Sequence, residues 1–319
     1  MSLKHVKVVS TPDDGTSEVG SDEWNAPHTI DTGGLTFPAN SSTPSTPADT
    51  ITVFCRENAN RTFPAYVNPT GVASSFQSLL ARNKIACWNA GGSSATAPGI
   101  FGFPALSASG TATQIVPSST SLASRMRRLG YPSAATAGSI SGARQTQVHN
   151  SCGSGTQDGS GFYVVQRWVE SDPAPVSGKR SFLGFTSSVA VPTNVEPSTL
   201  TNAIGIAQLS TDSTQWYWIQ GGTTAQTAVA MGTGLGAPGG NSTTAWELSI
   251  YSPSTVANTY YLQMTNLTTG ATLQTTMTGD VTQVPQSSTM LAWRHWGCNN
   301  TTAAVTSMDI STIYIESEY

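Results

Sequence analysis

From Ile51 onward, short apolar runs alternate with turn chemistry every 8 to 15 residues. That rhythm is expected of a sandwich or barrel built from short strands. The clearest runs are Ile51-Thr-Val-Phe-Cys55, Phe162-Tyr-Val-Val-Gln-Arg-Trp-Val169, Ser181-Phe-Leu-Gly-Phe-Thr186, Ala203-Ile-Gly-Ile-Ala207 and Gln215-Trp-Tyr-Trp-Ile219. Trp246-Glu-Leu-Ser-Ile-Tyr251, Thr259-Tyr-Tyr-Leu-Gln-Met-Thr265, Met290-Leu-Ala-Trp-Arg-His-Trp296 and residues 305–315 follow. No helix long enough to cross over parallel strands lies between them, so the pairing should be mostly antiparallel. One fair helix pattern covers residues 72–85. There Phe76, Leu79 and Leu80 fall at i, i+3 and i+4, with Ser74 or Ser75 as N-cap. The run from Tyr261 through Asn266-Leu-Thr-Thr-Gly270 to Thr275 predicts a hairpin with a glycine-containing loop. No repeat with a period of 20–50 residues occurs, which counts against propellers and solenoids. The expected fold is all-β, an antiparallel jelly-roll-like β-sandwich.

Composition narrows the class further. Charged residues make up 10% of the 319 residues, against about 25% in an average globular protein. Ser and Thr supply roughly a quarter of the chain, while apolar residues hold 38% and include 8 Trp, 9 Tyr and 9 Phe. Low net charge with ample apolar content excludes a disordered chain. A net charge of −4 and no Lys/Arg run argue against a nucleic-acid partner. No stretch of 18 apolar residues predicts membrane insertion, and the start, MSLKHVKVVS, lacks the apolar region of a secretory signal.

Residues 1–50 differ from the body. They hold seven of the 18 acids and end in Asn40-Ser-Ser-Thr-Pro-Ser-Thr-Pro-Ala-Asp49, a linker composition. Before the linker, Val19, Trp24, Ile30 and Leu35 are the only apolar anchors between Glu18 and Leu35. So thin a block needs partners, which predicts an extended attachment and oligomerisation segment, with residues 51–319 as the sandwich domain. The body is nearly neutral, with 11 acids and 12 bases. Cys55, Cys87, Cys152 and Cys298 include no C-x-x-C pair and are expected to be buried free thiols.

Several stretches resemble a known group. Glu18-Val-Gly-Ser-Asp-Glu-Trp-Asn-Ala-Pro-His-Thr-Ile30 resembles a segment near the start of tailed-bacteriophage tail-fibre proteins, where Trp-Asn and a nearby His precede the fibre body. Arg56-Glu-Asn-Ala-Asn-Arg-Thr-Phe-Pro64 and Asn83-Lys-Ile-Ala-Cys-Trp88 are similar to phage receptor-binding proteins with a lectin-like sandwich. So are Gly161-Phe-Tyr-Val-Val-Gln-Arg167 and Met308-Asp-Ile-Ser-Thr-Ile-Tyr-Ile-Glu316, and the latter also resembles the last strand of concanavalin-A-like domains. The resemblance implies a virion component, made in the host cytoplasm and found in the tail, that recognises a host-surface polysaccharide. It also implies a homotrimer, with residues 1–50 contacting other virion proteins. A structural virion appendage and a capsule or lipopolysaccharide depolymerase are the alternatives.

Enzyme signatures are weak. Glu170-Ser-Asp172 matches the start of the E-x-D-x-x-E set of concanavalin-like glycoside hydrolases, but position 175 is Pro, so the third acid is missing. A solvated strand end is the expected reading of this pair. No G-x-S-x-G, H-E-x-x-H or dense calcium loop occurs, and the string Gly234-Leu-Gly-Ala-Pro-Gly239 carries a proline and opens no helix. The sequence therefore predicts no enzyme, no cofactor and no metal.

Binding features are stronger. Sugars are recognised by aromatic faces flanked by hydrogen-bonding groups. Strand periodicity puts Trp216 and Trp218 on one face, opposite Tyr217 and Ile219. It places Trp293 and His295 together, opposite Arg294 and Trp296, with Asn299 in the next loop. Core packing of a sandwich is the plain reading of both clusters; as alternatives these residues are glycan-binding candidates or a subunit contact. Arg125 and Arg127 would share one face of a strand and suit an anionic glycan, or serve as a solvated edge.

Overall fold

A computed structural model describes residues 39–40, 43–45, 50–67, 73–75, 85–91, 99–100, 103–104, 106–156, 160–172, 175–239 and 242–317. The strands in chain order begin with β1 (Ala39–Asn40), β2 (Thr52–Asn58), β3 (Arg61–Val67), β4 (Ala73–Ser75), β5 (Ile85–Asn89), β6 (Gly99–Ile100), β7 (Ser107–Ser109) and β8 (Thr113–Ile115). A helical turn α1 (Leu122–Arg125) precedes β9 (Arg128–Pro132), β10 (Ile140–Arg144), β11 (Phe162–Glu170), β12 (Arg180–Thr186), β13 (Ala203–Leu209) and β14 (Asp212–Gly221). The last are β15 (Val229–Ala230), β16 (Ala245–Ser252), β17 (Thr259–Asn266), β18 (Thr272–Thr278), β19 (Ala292–Cys298) and β20 (Ser307–Ser317).

These strands make the antiparallel sandwich that the sequence predicts. One sheet has seven strands in the order β15-β14-β13-β12-β19-β10-β7. The other has nine: β18-β17-β16-β11-β20-β5-β6 with β8 and β9 joined at β20. The long β20 pairs β11 along one edge and, along the other, β9 through Ser307–Ile310 and β5 through Thr312–Glu316. Period-two alternation sends Phe162, Val164 and Trp168 of β11, Trp246, Leu248 and Ile250 of β16, and Ile204 and Ile206 of β13 into the space between the sheets. Trp168, Trp216 and Trp246 form the largest block there, with centroids 5.7–6.5 Å apart in edge-to-face and stacked pairs. The hairpin expected between residues 261 and 275 is β17–β18. Asn266 Oδ1 accepts from the Thr268 and Thr269 amides, and Gly270 supplies the positive φ of 80° that closes the loop.

The sequence expectations need correction at four places. The first body strand, β2, does not enter the sandwich. It pairs with β1, β3 and β4 in a separate four-stranded sheet, and the β2–β3 turn is a two-residue one with Ala59 and Asn60 both at positive φ. The 72–85 helix pattern begins as strand β4 and ends in β5, while residues 76–84 lie outside the described residues. Arg125-Met-Arg-Arg128 is not one strand. Ser121 caps the short helix α1, whose last residue is Arg125, and only Arg128 begins a strand. All four cysteines are free, but only Cys152 and Cys298 are buried; Cys55 and Cys87 are half-buried. No helix among the described residues is long and apolar enough to cross a membrane.

Candidate functional site

The predicted aromatic platforms are buried. Trp216, Trp293 and His295 have no exposed surface, and Trp218 and Trp296 keep only 3% and 1%. A ring without an open face has nothing to offer a sugar, so the packing corrects the glycan-binding alternative to the plain reading, core. The strand periodicity itself holds. Trp293 and His295 lie side by side at 5.3 Å between the sheets, while Trp296 joins Phe182 and Ile219 in a second cluster on the far side of the seven-stranded sheet. Burial pushes His295 down to about 3, so it is neutral at physiological pH. Arg294 is spent on the loop that follows β12, donating to Thr186 Oγ1 and to the carbonyls of Ser188 and Ala190 at 3.1–3.3 Å. Asn299 is fully buried and its amide reaches the carbonyls of Ala134, Thr136 and Ala304 at 2.7–3.0 Å. Arg125 and Arg127 remain exposed, Arg125 on the helical turn and Arg127 in the segment before β9.

The outward face of the nine-stranded sheet carries the polar chemistry that the core rows lack. Tyr163, Val165 and Arg167 of β11 point outward because their even-numbered neighbours point in. By the same period so do Glu247, Ser249 and Tyr251 of β16, and Tyr261, Gln263 and Thr265 of β17. The β2–β3 hairpin lies on one end of this face. Its Ala59 amide donates to Gln263 Oε1 at 3.2 Å. Arg61 pairs with Glu316 and stands over the rings of Tyr163, Tyr251 and Phe63 at 4.6, 5.7 and 6.0 Å.

Between the hairpin tip and the β17–β18 edge lies a cleft of about 280 Å³ lined by Asn60, Tyr261, Gln274 and Thr276, among others. Tyr261 is half-buried, with its ring 6.4 Å from that of Tyr251, whereas Asn60, Gln274 and Thr276 are exposed. Register places Tyr261 directly opposite Thr276 and Gln263 opposite Gln274. Gln274 Nε2 donates to Gln263 Oε1 at 2.6 Å, which leaves its carbonyl oxygen, the Asn60 carboxamide, the Thr276 hydroxyl and the Tyr261 ring at the recess, groups of the kind that pack on a sugar ring and bond its hydroxyls. No sequence motif singles this recess out, because its parts come from the hairpin turn, β17 and β18.

The carboxylates are engaged elsewhere. Glu170 and Asp172 are not a solvated strand end: they are 0% and 1% exposed, and both pair with Lys179, itself 1% exposed. Asp172 Oδ1 also accepts the Ser307 amide at 2.7 Å. Nearby, the buried Asp309 accepts from Ser171 and Ser307 and lies 3.4 Å from Arg128 Nη1. Three acids and two bases in one dry region leave an excess negative charge. Burial raises Glu170, outweighing the lowering by Lys179, to about 7, so that this acid holds a proton near neutrality. For Lys179, burial opposes the charge but the two carboxylates overcome it and hold the group above its ordinary value. Among the described residues no three His, Cys, Asp or Glu side chains are grouped so as to hold a metal ion.

No protein-family profile matches the sequence, and no curated protein does. Among solved structures the chain is similar to peanut lectin with a nine-residue peptide, at 11% identity and a TM-score of 0.48 over 74% of this chain and 98% of that one. It is similar to arcelin-5, a lectin-like defence protein from Phaseolus vulgaris, at 10% identity and 0.44 over 74% and 99%. A Shewanella oneidensis protein of unknown function gives 11% and 0.43 over 76% and 89%. Likenesses at this level say nothing of what the chain binds.

Proposed function

We propose that this chain is a non-enzymatic adhesin of a bacteriophage tail that holds a host-surface polysaccharide in the cleft between the β2–β3 hairpin and the β17–β18 edge. The observation that carries the reading is the composition of that cleft: the Tyr261 ring flanked by the Asn60 carboxamide, the Gln274 carbonyl oxygen and the Thr276 hydroxyl. Neutral hydrogen-bonding groups around an aromatic face suit a sugar, and the described residues that line the recess include no carboxylate to act as acid or nucleophile. The Glu170–Asp172 pair, the one candidate for hydrolysis in the sequence, is closed by Lys179 and the Ser307 amide. The phage and tail assignments, the trimer and the attachment role of residues 1–50 rest on the sequence resemblance and on the composition of that leader.

Fluorescently labelled protein should decorate susceptible bacteria at micromolar concentration and block phage adsorption without releasing reducing ends from the surface polysaccharide. Absence of labelling and of blocking would remove the adhesin reading, and released reducing ends would turn it into a depolymerase. A chain without residues 1–50 should still adhere, whereas a mere connector would lose all its contacts. Sedimentation of the full chain as a stable monomer would end the trimer reading.

A further inference from the structure

Three groups that together can close an amide bond meet at the C-terminal end of β11. Lys179 Nζ, an amine, touches Asp172 Oδ2 on one side and Glu170 Oε2 on the other. All three side chains are sealed from solvent. The second oxygen of Asp172 accepts a backbone amide hydrogen from Ser307 at 2.7 Å. The second oxygen of Glu170, by contrast, is buried without a partner among the described residues. Asp172 is thus the acid whose carbonyl oxygen has a fixed donor, and Glu170 is the acid left free to move a proton. We propose that Lys179 and Asp172 condense into an intramolecular isopeptide bond, with Glu170 carrying the proton.

The step balances without any co-reactant. The first transfer is uphill, because the two carboxylates hold the Lys179 proton tightly: an ammonium proton passes to the Asp172 carboxylate, giving a minor population of amine and carboxylic acid with no change in net charge. The Nζ lone pair then forms a bond to Asp172 Cγ, and the negative charge that develops on Oδ1 is met by the Ser307 amide, as in an oxyanion hole. Glu170 gives its proton to Oδ2, the Cγ–Oδ2 bond breaks and water leaves. The carboxylate of Glu170 recovers a proton from Nζ, so Glu170 ends as it began. The raised affinity of Glu170 for its proton suits it to this exchange.

Two further features favour the condensation. Holding amine and acid in contact makes the reaction effectively unimolecular. Replacing a buried ammonium and carboxylate by a neutral amide also removes the cost of keeping two charges out of water. The product water has a way out, since a cleft of about 390 Å³ is lined by Asp172, Ser171 and Ser307 and opens beside the trio.

Tryptic digestion of the full chain under denaturing conditions tests the bond. Trypsin cannot cut after an acylated lysine, so the proposal expects cleavage to pass Lys179 and release a 168–180 peptide one water lighter than its sequence, with the loss located between Asp172 and Lys179 by fragmentation. A 168–179 peptide of full mass would overturn the proposal. E170Q, folded by circular dichroism, should restore the full-mass 168–179 peptide, and a dehydrated peptide in E170Q would remove Glu170 from the step. Should E170Q fail to fold, K179R keeps the positive charge and should give a 168–179 peptide of full mass. The wild-type digest decides the bond by itself.

Discussion

Arg61, from the small sheet, stands 4.6 Å above the ring of Tyr163 in the nine-stranded sheet. With the Glu316 ion pair it is a charged tie between the two, and it holds the hairpin tip where it walls the candidate cleft. A partly desolvated cation–π contact is worth about 0.5–2 kcal/mol. R61A should therefore cost about 1–2 kcal/mol and speed proteolysis within residues 51–67, while the sandwich keeps its near-ultraviolet circular dichroism. An unchanged cleavage rate would show that the hairpin is held by other contacts.

The raised affinity of Glu170 for its proton has a pH consequence wherever Lys179 keeps its ammonium. Its folded value, about 7, lies above the ordinary 4.5. The stability it contributes is fully present below 4.5 and is lost as pH rises through 7. Thermal melts from pH 5 to 8 should show a falling Tm, and E170Q should flatten that slope because the amide cannot ionise. A wild-type Tm that rises across this window would contradict the assignment.

Truncating the buried tryptophans should damage stability rather than recognition. Trp216 has no exposed surface and touches Trp168 and Trp246 at 5.8 and 5.7 Å. W216A should cost about 3–5 kcal/mol in urea unfolding. The protein that remains folded should bind cells as the wild type does.

Asn299 makes a similar case at smaller scale. Its amide joins two chain segments through the carbonyls of Ala134, Thr136 and Ala304. N299A removes a fully buried side chain and its three part-buried hydrogen bonds and should cost about 1–3 kcal/mol, read as a shift in the urea midpoint at constant m.

The fold was legible where apolar runs and turn chemistry stand out. Trp246 to Tyr251 alternates, Phe162 to Val169 is a continuous apolar-rich run, and Asn266–Gly270 carries turn chemistry; each is a strand or hairpin loop in the sandwich. Alternation tells which residues share a face but not which face meets the other sheet. Trp216 and Trp218 were thus correctly paired yet could be read as surface platforms until the packing placed them inside. The short strands β7 to β10 carry too few apolar residues to stand out, and the arginine cluster hid a capped helical turn. The Glu170–Lys179–Asp172 contact and the cleft at Tyr261 were both illegible. The first depends on how the loop after β11 folds back, and the second on residues about 200 positions apart.

On the proposed function, Tyr261 and Gln274 hold the glycan. The most direct measurement compares cell adhesion of wild type with that of Y261A/Q274A, both changes lying on outward positions of β17 and β18 that leave the core intact. Loss of stacking and amide bonds should weaken binding at least about tenfold, on the scale of 1.4 kcal/mol per decade, with Tm within a few degrees of wild type. Equal adhesion by the folded double variant would contradict the account and move the binding surface away from this cleft.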